Sequence, residues 1–426
     1  MIGSGAFAMG SAWVCRFLRT QRRRPEGTLQ GVLRLIMFAA VGAVIGWIAW
    51  GQGESIWGLV GLLLLPLLWG ALRSRWEILA LMLTYYAGGA RGLPGGAVVF
   101  FGDTAPHWWG IGMWLGASVL LSVPFALCWS SAASKQAAGF VLALLLCLVP
   151  PLGIVGWLNP LSVAGILFPS AGWLGLALTV ALFLTLVLRK GLLIAGLAVV
   201  AVGANTAALR ADPAMQMRWL GFDTSFPKLS SAGSDQATQF LSAMDRIQWL
   251  RGVIADMPPG ATLVLPETVI GRFDGVAQAM LGQAEGELVA KNSRVLVGAE
   301  LPEDTGRYKN AVVVLGAQHG DDRAAIQGIP VPISMWKPWA SDGAEADLLA
   351  RGNTINVEGR RVGVVICYEQ LLTYSLLRLM ADKPDLIAAV SNVWWARATN
   401  IPQIQFQSVQ AFARLFGVPV FSARNM

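Results

Sequence analysis

Seven apolar stretches fill the first half of this chain, at roughly residues 31–50, 56–72, 76–89, 108–129, 137–157, 171–188 and 191–209. A helix needs about 17–25 such residues to cross a bilayer. Only 13% of the 426 residues are charged, about half the share usual in soluble domains. The pattern predicts a membrane-embedded α-helical half. The third stretch is the shortest and turns glycine-rich past Tyr86, which a re-entrant or interfacial segment would share with a span. Pro66, Pro124 and the Pro150–Pro151 pair are read as packing kinks relieved by neighbouring helices.

Basic residues orient the spans, because cytoplasmic connections retain Lys and Arg. Arg16, Arg19, Arg22, Arg23, Arg24 and Arg34 belong to the N-terminal segment. Arg73 and Arg75 follow the second stretch, Lys135 the fourth, and Arg189 with Lys190 the sixth. The alternate connections carry Arg91 alone. This alternation predicts seven spans with a cytoplasmic N-terminus, and puts everything after Leu209 outside the cytoplasm. The apolar residues of the N-terminus precede its arginines, the reverse of a cleavable signal peptide, so the first span is read as an uncleaved anchor. The expected organisation is a basic cytoplasmic segment at 1–30, a membrane domain at 31–212 and an extramembrane domain at 213–426.

Charge and cysteine usage exclude several functions. Up to Asp212 there are 13 basic and 5 acidic residues, and beyond it 19 and 20. The basic excess is strung between apolar runs rather than gathered on one face, which argues against direct nucleic-acid binding. The four cysteines, Cys15, Cys128, Cys147 and Cys367, form no CxxC, so neither a disulfide framework nor a zinc site is indicated. With His107 and His319 the only histidines, serine–histidine catalysis and histidine-rich metal sites are disfavoured. No cofactor or metal is called for.

After Pro213 short β-rich runs alternate with helical stretches. Strands are expected at 262–265, 294–298, 311–315, 362–366, 386–390 and 418–421, and helices at 368–380 and 403–416. Such alternation predicts an α/β layered domain. Three polar residues stand at strand ends or in loops: Glu267 after "ATLVLP", Lys337 in "PISMWKPWA" and Cys367 after "VGVVI". Ligand sites of α/β sheets form at strand ends. Each residue has a plainer reading too: Glu267 as a solvated turn residue, Lys337 as a snorkelling lysine between Trp336 and Trp339, Cys367 as a small buried hydrophobe. Jointly they offer a base, an oxyanion partner and a nucleophile, the set needed for acyl transfer through a thioester.

In that order, Glu267 in "LPET", Lys337, and Cys367 in "CYE" resemble the Glu–Lys–Cys triad of the nitrilase or carbon–nitrogen hydrolase superfamily. "SNVWW" at 391–395 and "WLGFDTSFPK" at 219–228 strengthen the resemblance. With the preceding spans, the layout resembles the apolipoprotein N-acyltransferases of the bacterial inner membrane. The resemblance implies an α-β-β-α sandwich facing the periplasm. It implies a phospholipid acyl donor and a lipoprotein or other amine acceptor, with the chain passing through a thioester on Cys367. Glu267 would take the thiol proton and Lys337 would hold the oxyanion. Glu345, eight residues after Lys337, and Glu369, two after Cys367, match supporting glutamates.

The chain also departs from those acyltransferases. The stretch from Lys337 to Cys367 is short, Val393 replaces an aspartate, and Phe412 and Leu415 stand where an arginine and a glutamate are usual. The chain stops at Met426, where further strands and an eighth span would follow, so the domain reads as truncated. These traits resemble the conjugal transfer proteins of the Ti-plasmid type, which implies a role in plasmid conjugation and contact with a conjugation apparatus. A different reading is a non-catalytic membrane assembly factor with a vestigial nitrilase domain, and a third is a housekeeping apolipoprotein N-acyltransferase.

Overall fold

A computed structural model describes residues 28–102, 105–210, 218–227, 236–349 and 353–426. The basic residues Arg16–Arg24, together with Cys15 and Lys228, lie outside the described residues.

The first half is helical. Helix α1 (Thr28–Ala49) is followed by a 3₁₀ turn (Trp57–Leu63) that runs into α2 (Leu64–Trp69). Then come α3 (Arg75–Gly89), α4 (Leu93–Phe101), α5 (Trp108–Cys128) and α6 (Ala133–Leu148). A short α7 (Ala164–Leu167), α8 (Gly172–Val187) and α9 (Gly191–Arg210) complete the set. All seven predicted stretches contain helix, but fewer are long enough to cross a bilayer. Among the described residues Leu29–Ala49, Trp108–Cys128 and Gly191–Leu209 are long and apolar enough, and the bent pair Pro160–Leu167 and Gly172–Val187, at 118°, would make a fourth. Trp57–Trp69 and Lys135–Leu148 are shorter apolar helices, so the seven expected stretches differ in helix length. Helix α3 has 15 residues, about 22 Å at 1.5 Å per residue, short of a core about 30 Å thick. Helix α6 stops before Pro150–Pro151, since proline lacks an N–H and clashes with the preceding turn. Helix α4 was not foreseen.

The second half contains two small sheets. Strands β1 (Trp219–Gly221), β2 (Thr262–Val264), β3 (Arg294–Pro302), β4 (Tyr308–Leu315) and β5 (Ala324–Ile326) form the first in sequence order. β1, β2 and β3 run parallel; β4 and β5 are antiparallel to their neighbours. Strands β6 (Thr354–Val357), β7 (Arg360–Ile366), β8 (Leu386–Asn392) and β9 (Val420–Asn425) form the second, with β7, β8 and β9 parallel. Alternation along each strand sorts its side chains between two faces. Leu263, Leu265, Val295 and Val297 pack beneath α10 (Gln236–Asp256) and α11 (Gly275–Ala290), against Leu250, Ile254, Leu281 and Leu288. Val264, Leu296, Val312 and Val314 instead share a buried cluster with Val362, Val364, Ile366 and Val390 of the second sheet. Val365, Ile387 and Ala389 face α12 (Thr373–Ala381) and α13 (Ile401–Phe416).

Helix α13 also docks on the helical first half, which explains two of the departures seen in the sequence. Phe412 and Leu415 are fully buried in a cluster with Phe168, an apolar use of the face where charges were expected. Polar groups complete the contact. Arg414 donates from Nε to the Gly165 carbonyl at 3.1 Å and from Nη2 to Asn205 Oδ1 at 2.9 Å. Gln407 Oε1 accepts from the Gly51 N–H at 2.9 Å and its Nε2 donates to the Ser55 carbonyl at 2.6 Å. At Gly165 a Cβ would run into the Ala411 backbone carbonyl, so only glycine lets α7 and α13 approach this closely.

A Gly165→Ala substitution is expected to destabilise the protein by about 1–3 kcal/mol, the usual cost of overpacking. It should lower the melting temperature in detergent, whereas Gly196→Ala, whose Cβ meets nothing within 4 Å, leaves it unchanged.

Candidate active site

Glu267 follows β2 in a turn that the first sheet crowds. A Cβ on Gly298 of β3 would strike the backbone of Pro266, Glu267 and Thr268, so glycine there lets the turn sit against the strand. Thr268 takes φ +51°, a left-handed conformation that costs a β-branched residue about 1–3 kcal/mol. The Glu267 carboxyl is 3% exposed as a residue, yet it is well supplied with donors. Oε1 accepts from Asn310 Nδ2 at 2.6 Å and Oε2 accepts from the Asn392 N–H at 2.9 Å, with the Cys367 thiol beside the same carboxylate.

Cys367 terminates β7 and opens a 3₁₀ turn, Cys367–Leu371. Its φ is +48°, so the nucleophile candidate is held at a strained corner, as catalytic residues often are. Gln405 of α13 donates to its carbonyl at 3.0 Å. Glu369 braces the corner from behind. Its Oε1 accepts from the Gly328 and Ile329 N–H groups at 2.9 and 3.1 Å, and its Oε2 from the Ile366 N–H at 3.2 Å. Gln327 links the two sheets, accepting from Asn310 Nδ2 at 2.8 Å and donating to the Ile366 carbonyl at 2.8 Å.

Burial shifts these groups. It raises the Glu267 carboxyl to about 6, against the lowering effect of its hydrogen bonds to Cys367, Asn310 and Asn392. Burial likewise raises Glu369 to about 7. The Cys367 thiol is pushed well above its ordinary value by burial and then by the neighbouring Glu267 charge. It rests as a neutral thiol beside a carboxylate, an arrangement suited to general-base activation during attack.

Glu267 and Cys367 share a cavity of about 540 Å³ with Lys337. Lys337 pairs with Asp342 at 3.4 Å. Glu345 is not brought to the site: it does not line this cavity, and its carboxylate lies 4.0 Å from Lys309 Nζ near the surface. The opposite wall comes from the membrane half, as Leu93, Ala97, Phe100 and Phe101 of α4 and Met113 of α5. Gly96 of α4 abuts the Trp395 ring. Asn310, Gln327 and Gln405 escaped the sequence reading, since a polar residue in a strand or helix carries no mark of burial until its neighbours are known. Asn392 lay inside the "SNVWW" motif without an assigned role.

No family model matches the chain. It is 32% identical over 440 aligned positions to the conjugal transfer protein TraB of Agrobacterium fabrum, covering 98% of this chain and 97% of that protein. This chain belongs to the TraB family of conjugal transfer proteins. A second TraB relative, a probable conjugal transfer protein of Sinorhizobium fredii, is 34% identical over 351 residues, 80% of this chain and 86% of its own length. Among solved structures, a Nesterenkonia amidase of the nitrilase superfamily aligns with 41% of this TraB-family chain and 63% of its own, at 10% identity and a TM-score of 0.28. So partial a likeness carries no argument about activity.

Two outcomes test the TraB-family site. Alkylation of Cys367 by iodoacetamide should accelerate as pH rises through about 6, where Glu267 becomes a carboxylate able to take the proton. Glu267→Gln should abolish that limb and Glu345→Ala should leave it intact. Glu369→Gln should cost about 1–3 kcal/mol by turning an amide donor toward a backbone N–H, read as a lower melting temperature. Both buried carboxyls titrate higher folded than unfolded. Their contribution therefore favours the fold below about pH 4.5 and is lost as pH climbs through about 6 for Glu267 and about 7 for Glu369.

Proposed function

We propose that this chain is a membrane-bound acyltransferase of the carbon–nitrogen hydrolase type that serves plasmid conjugal transfer. The observation that carries the reading is Cys367 set beside the buried Glu267, in a cavity that also holds Lys337 and is walled by apolar helices. In this reading the two sheets, with α10 and α11 on one side and α12 and α13 on the other, form the helix–sheet–sheet–helix sandwich of that superfamily.

Glu267 accepts the thiol proton as the sulfur attacks an ester carbonyl. Lys337 leaves Asp342 to stabilise the oxyanion, and the proton returns to the departing alkoxide. An acyl chain then remains on Cys367 as a thioester, to be passed to an amine such as that of a lipoprotein. The apolar wall of Leu93, Ala97, Phe100, Phe101 and Met113 suits the fatty chain of a phospholipid donor. The arginine and lysine pattern of the connections supports an inner-membrane location with the domain on the periplasmic side. The TraB relatives support the conjugal role, and with it a conjugation apparatus as partner.

Intact-mass measurement after incubation of the detergent-purified protein with phospholipid tests the chemistry. Wild type should gain one fatty acyl group, removable by hydroxylamine, and Cys367→Ser should gain none. Lys337→Ala should slow acylation by about 10²–10³, the usual cost of an oxyanion partner. A folded protein that takes up no acyl group, and whose Cys367 resists iodoacetamide, would instead favour a non-catalytic assembly factor.

A further inference from the structure

Three carboxylates lie buried or half-buried around the site, and they differ in how they are satisfied. Glu267 has Asn310, the Asn392 N–H and the Cys367 thiol. Glu369 has three backbone N–H groups. Glu300 lines the same cavity as Cys367 and Lys337, and its carboxylate makes no hydrogen bond or ion pair among the described residues.

The register fixes where Glu300 points. It is the direct antiparallel partner of Asn310 across β3 and β4, and such partners project from the same sheet face about 5 Å apart. Asn310 reaches Glu267 on that face. Glu300 therefore stands beside the base rather than behind it, and its charge helps raise both Glu267 and Tyr308. Burial raises the Glu300 carboxyl, against the lowering effect of the Arg272 charge; Arg272 bridges to it through the backbone, yet the two side chains do not pair. A half-buried carboxylate that lines a cavity without donors of its own is left open to an incoming cation.

We propose that Glu300 receives the cationic amine of the acyl acceptor. The proposal rests on the acyl-transfer reading above and assigns that reading's second half-reaction to a residue that the sequence did not single out. The acceptor ammonium gives one proton to Glu300 and becomes a free amine. Its nitrogen forms the C–N bond at the thioester carbon as the C–S bond breaks. A second N–H proton passes to Glu267 and from there to the Cys367 sulfur. Glu300 then releases its proton to water, leaving an amide, the free thiol and both carboxylates as they began. Glu345, the glutamate expected in support of the triad, is in no position to do this.

The test separates charge recognition from chemistry by using two nucleophiles on the acylated enzyme at neutral pH. n-Butylamine is a cation there, and hydroxylamine is uncharged. Glu300→Gln should still take up an acyl group from phospholipid, and its discharge by hydroxylamine measures whatever the lost charge does to Glu267, so the n-butylamine rate is read relative to it. Discharge by n-butylamine should fall about tenfold or more, and Glu300→Asp should restore part of it. An unchanged n-butylamine rate, or an equal fall with both nucleophiles, would overturn the role of Glu300. A wild-type enzyme that never gains an acyl group would overturn the acyl-transfer reading itself, and Glu300's role with it.

Discussion

The Glu267 carboxylate is the constraint on which the site depends. It belongs to a turn of the first sheet, but its oxygens are satisfied largely from the second: the Asn392 N–H at the end of β8 and the Cys367 thiol at the end of β7. Asn310 and Gln327 complete a bridge back to the Ile366 carbonyl. An unpaired buried carboxylate would be too costly to keep, so the two sheets must meet with these strand ends in register. The interactions that satisfy the buried Glu267 also align the sheets.

The strain at the corner follows from the same meeting. Thr268 and Cys367 both take left-handed conformations, and they occupy the two turns that face each other across the sheets. Glu369, buried and bound by three N–H groups, and Gln405, reaching the Cys367 carbonyl from α13, hold that corner. Helix α13 in turn is seated on the membrane half through Gly165, Arg414, Gln407 and Asn400. Asn400 accepts from the Gly92 N–H and donates to the Gly89 carbonyl. The apolar helices of the first half thus do more than pack among themselves. They brace the helix that supports Cys367, and α4 and α5 form the apolar wall of its cavity.

The primary structure already declared the apolar, helical first half, because apolar runs and charge-poor composition do not depend on what they later pack against. It also declared six of the strands, whose β-branched runs alternate visibly, and the positions of Glu267, Cys367 and Glu369, which end a strand or follow one closely. It did not give the helix lengths. Apolar length in sequence is not helix length, and α3, α6 and the 57–69 segment are each cut short by local chemistry: a glycine-rich end, a proline pair, a 3₁₀ turn.

Tertiary structure alone decided which glutamates share a cavity with the cysteine. Glu345 and Glu300 look alike as letters, and sequence spacing favoured Glu345. Pairing β3 with β4 sets Glu300 opposite Asn310 and therefore beside Glu267, while Glu345 is carried off to Lys309. The roles of Asn310, Gln327 and Gln405 were hidden for the same reason. A polar side chain is functional here only through partners far away in the chain, and those distances exist only once the two sheets and the membrane helices have packed.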